Sequence, residues 1–315
     1  MRTYLRTIVA LASLCLSAYA QNGATVHNPE RIALLRWYNA NRATTLSVGN
    51  NPIAEVFDGA SIWVANSFDG TVTKLRASDG TAATFTVGNQ PQAITFDGSN
   101  IWVASQSSNV LTKVLASDGA VLANFSLPGQ PFGLVFDGTN IWLSLGFNNS
   151  VEKIRPSDGT VLGTFAVTNE PGALAFDGNN VWITNGSGGT VTKMRASDGT
   201  ILGTFPVGSL PTAIAFDGTN MWIANFSTSN VTVLNASSGT PVGTIALSAS
   251  PGGIAFDGFS MWVTLSSFAG SVVEIPVSDG KVLTTVPVGV FPGAVAFDGA
   301  NMWVTNNGSA TVSKL

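Results

Sequence analysis

The sequence predicts an all-β fold, a seven-bladed β-propeller of four-stranded blades, and two recurring features predict it. The triplet Phe-Asp-Gly recurs in a regular series of seven copies, whose aspartates are spaced 39 to 41 residues apart from Asp58 to Asp298. A tryptophan stands five residues after each of these aspartates. A period near 40 residues with four short strands in each repeat is typical of propeller blades.

Each repeat divides into four strands that are separated by turns. The fourth repeat shows the pattern, with the segments PGALAFDG, NNVWITN, GTVTKMRASDG and TILGTFPVG. Asp-Gly between runs of β-branched and aromatic residues is a strong hairpin signal, because glycine tolerates the positive φ of a tight turn. A proline opens the first strand of every repeat, where its missing N–H is tolerated.

The two ends of the repeat region predict how the ring closes. The seventh repeat reaches Leu315 after its third strand and contains no fourth strand. The segment Thr44–Gly49, TTLSVG, matches the fourth strand of the fourth repeat, which reads GTFPVG. We therefore expect the N-terminal strand to complete the last blade, which removes two open sheet edges.

The residues before the repeats predict export. Residues 1–20 combine Arg2 and Arg6, an apolar run and the small-residue site Ala18-Tyr19-Ala20, which together are typical of a signal peptide cut after Ala20. A secreted or periplasmic protein is expected, with a signal peptide at 1–20, an N-terminal segment with a short helix at 21–41 and the propeller at 42–315. Cleavage removes Cys15, the only cysteine, so the mature chain has no disulfide.

Composition excludes several classes of function. Only 10% of the residues are charged and the formal net charge is −4, or −6 after cleavage, so we expect no nucleic-acid partner. No apolar stretch of membrane-spanning length follows the signal, and a monomer without a membrane span is expected. The basic residues of the third strands are interpreted as a solvated rim whose charges are compensated by the Ser-Asp-Gly turns. They are Lys74, Lys113, Lys153, Lys193 and Lys314, with Arg76, Arg155 and Arg195.

The second strands carry a motif that resembles a known family. Trp-Val-Ala-Asn at 63–66, Trp-Ile-Thr-Asn at 182–185 and Trp-Val-Thr-Asn at 303–306 resemble the signature of YVTN-type and NHL-like propellers, with Trp in place of Tyr. This resemblance covers residues 42–315 and implies a binding or surface-layer module. The related streptogramin-lyase propellers are enzymes that need histidine in the propeller, whereas the single histidine here, His27, precedes it.

Few residues outside the repeat pattern could perform chemistry. The turn aspartates are expected to bond their own backbone, and the seven repeat tryptophans are expected to pack between blades. No cofactor is expected. If a divalent cation binds at the channel mouth, in a gluconolactonase-like calcium site of Glu, Asp and Asn oxygens, Glu55 and Glu170 are the candidate ligands. Glu152 and Glu274 are predicted to lie at the surface on third strands.

The loops predict where a ligand binds. Loops after second strands and loops before the prolines share one end of a propeller, and there the repeats differ from one another. We expect an exported, non-catalytic binding or scaffold propeller that recognises a protein or a glycan at this end. A metal-assisted lactonase or lyase-like enzyme with its site at the channel mouth is the alternative. The predicted contact residues are Phe68, Asp69, Gln90, Gln130, Phe147, Glu170, Asn185, Phe226, Phe268, Phe291 and Asn306.

Overall fold

The computed structural model describes residues 44–315, and the regular elements in this range are 28 β-strands. Within these residues no helix is long and apolar enough to span a membrane. The predicted signal peptide, the N-terminal segment and its short helix lie outside the described residues.

The strands form seven separate sheets, each with four antiparallel strands. Every sheet begins with a strand that starts at proline and ends at phenylalanine. These first strands are β2 (Pro52–Phe57), β6 (Pro91–Phe96), β10 (Pro131–Phe136), β14 (Pro171–Phe176), β18 (Pro211–Phe216), β22 (Pro251–Phe256) and β26 (Pro292–Phe297). Each first strand contacts the next in this order, and β26 contacts β2. The chain is a seven-bladed β-propeller.

The second and third strands form the middle of each blade, and their β-branched and aromatic residues favour the extended backbone. The second strands are β3 (Ser61–Asn66), β7 (Asn100–Ser105), β11 (Ile141–Leu145), β15 (Asn180–Asn185), β19 (Asn220–Asn225), β23 (Ser260–Leu265) and β27 (Met302–Asn306). The third strands are β4 (Thr71–Arg76), β8 (Val110–Leu115), β12 (Ser150–Ile154), β16 (Thr190–Arg195), β20 (Asn230–Asn235), β24 (Ser271–Pro276) and β28 (Thr311–Lys314).

The fourth strands form the outer edge of the ring. They are β5 (Ala82–Thr86), β9 (Val121–Ser126), β13 (Val161–Ala166), β17 (Ile201–Pro206), β21 (Pro241–Ala246) and β25 (Thr284–Pro287), and β1 (Thr44–Ser47) takes this place in the seventh sheet. β1 runs antiparallel to β28, with Thr44 opposite Lys314 and Ser47 opposite Thr311. The strand that precedes the first repeat therefore completes the last blade.

The Phe-Asp-Gly turns explain the five-residue spacing between aspartate and tryptophan. In the first blade, Oδ1 of Asp58 accepts the backbone amides of Ala60 and Ser61 at 2.8 and 2.7 Å. Its Oδ2 accepts the indole N–H of Trp63 at 2.7 Å. The indole bond recurs in all seven blades. The carboxylate thus holds both the turn and the tryptophan.

The tryptophans build the core between blades, as the sequence predicts. Trp102 of blade 2 packs with Leu134 and Ile141 of blade 3, and both Trp102 and Ile141 are fully buried. The other blades repeat this contact, and in blade 7 Trp303 packs with Ile62 and Val64 of blade 1. The apolar clusters therefore lie between adjacent blades, where they hold the ring together.

The third-strand lysines are not a solvated rim, which corrects the interpretation from the sequence. Lys193 is buried, and its Nζ lies 5.2 Å from the centre of the Trp182 ring. The same ammonium donates to the carbonyl oxygens of Ala236 and Ser237 in the next blade, at 2.6 and 3.0 Å. We call this contact the lysine clamp, and Lys74, Lys113, Lys153 and Lys314 form it too.

The arginines of the third strands behave as the sequence predicts. They pair with the aspartates of the following turns at 3.0 Å, and both partners of each pair are exposed. Exposed pairs of this kind contribute little to stability, typically below about 1 kcal/mol. The pairs are Arg76 with Asp79, Arg155 with Asp158, and Arg195 with Asp198.

Two neighbouring contacts between blades lack the lysine clamp. Val233 of blade 5 and Glu274 of blade 6 stand opposite the tryptophans of their blades, where the other five blades have lysine. In blades 1 to 4 a phenylalanine of the fourth strand also stacks on the tryptophan, as Phe205 does on Trp182 at 5.7 Å. Blade 5 has Ile245 there, so blade 5 is connected to blade 6 by apolar packing and by the long hydrogen bonds of the Thr212 hydroxyl to Pro251 and Gly252.

Candidate functional site

The propeller has two chemically different ends. One end, here called the turn end, carries the Phe-Asp-Gly and Ser-Asp-Gly turns. The other, here called the variable end, consists of the loops between second and third strands and the loops before the prolines. The ranges are 67–70, 106–109, 146–149, 186–189, 226–229, 266–270 and 307–310, with 48–51, 87–90, 127–130, 167–170, 207–210, 247–250 and 288–291.

Backbone hydrogen bonds join the two kinds of loop within six of the seven blades. In blade 4 the amide of Gly186 donates to the carbonyl of Glu170 at 3.0 Å, and in blade 5 that of Phe226 donates to Leu210 at 2.9 Å. Equivalent bonds occur in other blades, for example from Gln106 to Gln90. The variable end is therefore a connected surface and not a set of independent loops.

A cavity of about 670 Å³ opens at the variable end, where the first strands surround the channel. Its walls are mostly apolar, from side chains such as Ile53, Leu134 and Leu174 and from small residues of the first strands. Gly253 shows why those residues are small, since a Cβ there would lie 2.7 Å from the carbonyl oxygen of Gly293 in the next blade. The glycine allows the first strands to approach closely and leaves the mouth wide.

The structure brings three of the predicted contact residues to this cavity. Phe147, Glu170 and Phe226 line it, together with Phe132 and Leu210, which are not among the predicted contact residues. Phe132 and Leu210 occupy positions in the repeat where other blades have different residues, and this variation is the signal that could have identified them.

The remaining predicted aromatics lie at the variable end, where Phe68 and Phe268 are exposed and Phe291 is half-buried. Phe68 and Phe268 are 73% and 81% exposed, and Phe147 is 63% exposed. The rings lie in pairs, since Phe132 meets Phe147 edge-on at 5.3 Å and Phe268 lies 4.4 Å from Phe291 between ring centres. Exposed aromatic rings of this extent are typical of surfaces that bind another molecule.

The backbone of the variable end is held in an uncommon conformation. Glu170, Leu210 and Phe291, each directly before a proline, have positive φ angles of 58°, 53° and 49°. Asn51 and Gln90 occupy the same position with φ of 53°. Residues other than glycine adopt this region at a cost of about 1 kcal/mol or more, and such conformations cluster at binding sites. The side chains before the prolines are thereby fixed in direction.

Two of the predicted contact residues are buried, which corrects the sequence interpretation. Asn185 and Asn306 end the second strands β15 and β27 instead of lying in the loops, and they are 1% and 0% exposed. The Nδ2 of Asn185 donates to the hydroxyls of Thr190 and Thr192, both at 2.9 Å. These asparagines therefore fix the hairpin from inside and cannot touch a ligand directly.

Several predicted polar residues at the variable end bond neighbouring loops. The carboxylate of Asp69 accepts the backbone amide of Asn50 at 2.7 Å and its side-chain amide at 2.9 Å. Both bonds lower the pKa of Asp69, and the bond from the backbone amide has the larger effect. Gln90 accepts the hydroxyl of Ser107, and Gln130 is half-buried. Asp69 and Gln90 thus have a structural part in shaping the surface.

Glu170 is the one charged residue among residues 44–315 that lines the cavity. Its side chain is exposed and its backbone amide donates to Oδ1 of Asn149 at 3.0 Å. Among residues 44–315, the loops of the variable end contain no lysine or arginine, and their two carboxylates are Asp69 and Glu170. All nine basic residues of this range lie on third strands or on the turns after them.

Glu55 lies in the wall between blades 7 and 1 and not at the channel mouth. It occupies the position held by Ile94, Leu134 and equivalent apolar residues elsewhere, and both carboxyl oxygens are buried without a hydrogen-bond partner among the described residues. Burial raises the pKa of Glu55 well above its ordinary value and outweighs a smaller lowering by the backbone of Ala296 and Thr305, which lies near the carboxyl group without forming a hydrogen bond of normal geometry. Glu55 and Glu170 stand in different blades.

The third-strand glutamates differ from the surface positions that the sequence predicts. Glu152 is 4% exposed, and burial raises its pKa. Glu274 is half-buried, and its carboxylate accepts the hydroxyl of Ser260 at 3.0 Å. Within residues 44–315 no group of three or more His, Cys, Asp or Glu side chains could hold a metal ion. The cation site at Glu55 and Glu170 stays a prediction.

Solved structures with this fold have very different sequences. The structure of U3-55K superposes with a TM-score of 0.76 and covers 87% of this chain and 98% of its own. The WD40 repeats of RRP9 give 0.75, with 87% and 96% covered, and Kuenenia stuttgartiensis hydrazine synthase gives 0.74, with 86% and 96% covered. All three are 15% identical to this chain, so the likeness concerns the fold.

The sequence matches no family model and no curated protein. The resemblance of the second strands to YVTN-type and NHL-like repeats therefore stays a prediction, and the propeller architecture is what the solved structures share.

Proposed function

We propose that this chain is an exported, non-catalytic binding or scaffold propeller that recognises a protein or a glycan through its variable end. One observation supports this most directly: an apolar cavity opens at that end, and the exposed phenylalanines Phe147 and Phe226 line it. Buried contacts made by such aromatics supply much of the affinity of known interfaces. The positive φ angles before the prolines add support. A strained backbone is kept at binding sites where it directs side chains toward a ligand, and packing of the blades does not by itself require this conformation.

Export is the second component of the proposal, and it rests on residues 1–20. Expression of the full chain with its leader, followed by mass spectrometry of the mature protein, tests it. An N-terminus at Gln21 in the secreted or periplasmic fraction supports export, whereas an intact Met1 in the cytoplasmic fraction contradicts it.

A comparison of the two ends tests the binding role. The purified protein is screened against arrays of glycans and of extracellular proteins, and each ligand found is measured again with two variants. Phe68→Ala combined with Phe147→Ala should weaken binding at least about tenfold, because both rings lie at the variable end. The melting temperature should hardly change, since both side chains are exposed.

The matched control changes the turn end. Thr139→Ala combined with Thr219→Ala alters two exposed turn residues there and should leave binding unchanged. Binding that is lost in this control and retained in the phenylalanine variant would contradict the proposal.

A further inference from the structure

If the variable end binds a ligand, as proposed above, its charge distribution and its cavity lining limit the chemistry of that ligand. Residues 44–315 contain nine basic and seventeen acidic side chains, and the basic ones are all outside the loops of the variable end. Four of the five clamp ammoniums lie over tryptophan rings of blades 1 to 4, and each bonds a backbone carbonyl of the next blade. The variable end therefore presents a negative potential that no nearby cation reduces.

The cavity offers hydrogen-bond acceptors that lack donors. The carboxylate of Glu170 faces no basic side chain among the described residues. Asn307 also lines the cavity, and its Oδ1 is buried without a hydrogen-bond partner in this part of the chain. The hydroxyl of Thr212, another polar group of the lining, is directed at the carbonyls of Pro251 and Gly252. A ligand that brings donors would satisfy Glu170 and Asn307.

The shape of the site favours a peptide over a flat or strongly polar ligand. A bilayer surface could take up the exposed phenylalanines but could not fill a cavity of about 670 Å³. A neutral glycan needs many hydrogen bonds, whereas Ile53, Leu134, Leu174 and Phe132 line the walls. An apolar side chain on a peptide would fit these walls, and its burial is favourable by about 25 cal/mol per Å².

We infer that the variable end binds a peptide segment that carries an apolar side chain next to a lysine or arginine. The apolar group occupies the cavity between Phe132 and Leu174, and the cation lies at the mouth beside Glu170. The donors of the cation meet the carboxylate of Glu170, and the phenylalanines around the mouth exclude water from the contact.

Selection from a random peptide library tests this inference. Dodecapeptides displayed on phage are selected on the purified mature protein and sequenced. We expect Lys or Arg within two residues of Phe, Leu or Trp to be enriched by about five- to tenfold over the unselected library, which is the range of a charged hydrogen bond at a partly exposed site.

Two variants that remove the same charge make the result specific. Glu170→Gln should keep the apolar preference and lose the basic one, with the leading peptide bound about five- to tenfold more weakly at low salt. Asp118→Asn, at an exposed turn of the turn end, should leave both preferences intact. Selection of neutral or acidic peptides, a basic preference that persists in Glu170→Gln, or no enrichment at all would overturn the inference.

Other ligands separate this inference from the proposed function. Maltoheptaose and phosphatidylcholine vesicles are measured on the same protein. Binding of either one that is lost in Phe147→Ala, with no peptide selected, overturns the peptide inference and leaves a binding role for the variable end. Peptide binding that is unchanged in Phe147→Ala with Phe226→Ala contradicts the proposed function itself.

Discussion

Glu55→Leu should stabilise the protein and remove a pH dependence of its stability. Glu55 places a carboxyl group in the wall between blades 7 and 1, at a position where Leu134 and Leu174 stand in other blades. Neither carboxyl oxygen has a hydrogen-bond partner among the described residues, and burial raises the pKa well above the ordinary value of 4.5.

The sign and the size of the effect follow from the raised pKa. Above pH 4.5 the unfolded chain releases the proton of Glu55, while the folded protein keeps it until the pH reaches the folded-state value. In this window the folded state holds one proton more, so the free energy of unfolding falls by about 1.4 kcal/mol per pH unit as the pH rises. A leucine buried at position 55 adds about 1.5–3 kcal/mol to the free energy of unfolding, and this contribution does not depend on pH.

Urea unfolding at half-unit steps between pH 4.5 and pH 8, followed by tryptophan fluorescence, measures the slope. Wild type should lose stability with rising pH relative to Glu55→Leu, and the gap between the two should grow until the folded carboxyl has titrated. Glu170→Gln removes an exposed carboxylate and serves as the control, which should keep the wild-type slope. Equal slopes in wild type and Glu55→Leu, or a variant less stable at all pH values, would refute the reasoning.

Further predictions concern the clamps, the turns and the closure. Lys193→Met removes two hydrogen bonds and a cation–π contact, so calorimetry should show a loss of about 2–3 kcal/mol; an unchanged melting temperature would contradict the clamp. Val233→Lys, opposite Trp222, should supply a missing clamp and raise stability by about 1 kcal/mol in urea unfolding. Burial raises the pKa of Asp97, but the Trp102 indole and nearby amides lower it overall, so stability should fall at acidic pH; Asp97→Asn should flatten that decline in a melting series below pH 5. Deletion of residues 21–49 removes β1 and should abolish cooperative unfolding, and a monomeric product with an unchanged melting curve would disprove the pairing.

The fold could be predicted from the sequence because each repeat carries its own local signals. The proline, the Asp-Gly turn and the tryptophan of one blade lie within about a dozen residues of each other, as Pro171, Asp177 and Trp182 show. Their contacts are therefore local, and repetition confirms each signal seven times. The closure by β1 was predictable for the same reason, because its residues match a strand of the repeat.

The candidate site was only partly predictable, because burial depends on contacts between distant residues. The sequence pattern places Asn185 in a loop after a strand. In the structure it is the last residue of the strand, and its side-chain amide is buried in the hairpin because it donates to the hydroxyls of Thr190 and Thr192. A lysine in a polar strand predicts a side chain exposed to solvent. Lys193 instead lies opposite Trp182 in the strand register, so its side chain packs over the indole ring. A constant separation of 11 residues between each such tryptophan and lysine was the sequence signal for the clamp.

Because β1 pairs with β28, the last blade can be completed only after the whole repeat region has been synthesised. Thr44 is synthesised early and meets Lys314 only after the six intervening blades exist as sequence. Until then β1 lacks its partner, and the facing surfaces of blades 1 and 7 are exposed to solvent. Contacts between residues so far apart form slowly.

If residues 1–20 direct export, the same pairing helps to keep the chain competent for export. A ring that cannot close before β28 emerges stays open during synthesis, when the chain can still pass through a membrane in extended form. If the chain is exported, closure would follow passage, and the Lys314 ammonium then donates to the carbonyl oxygen of Ala77 at 2.7 Å.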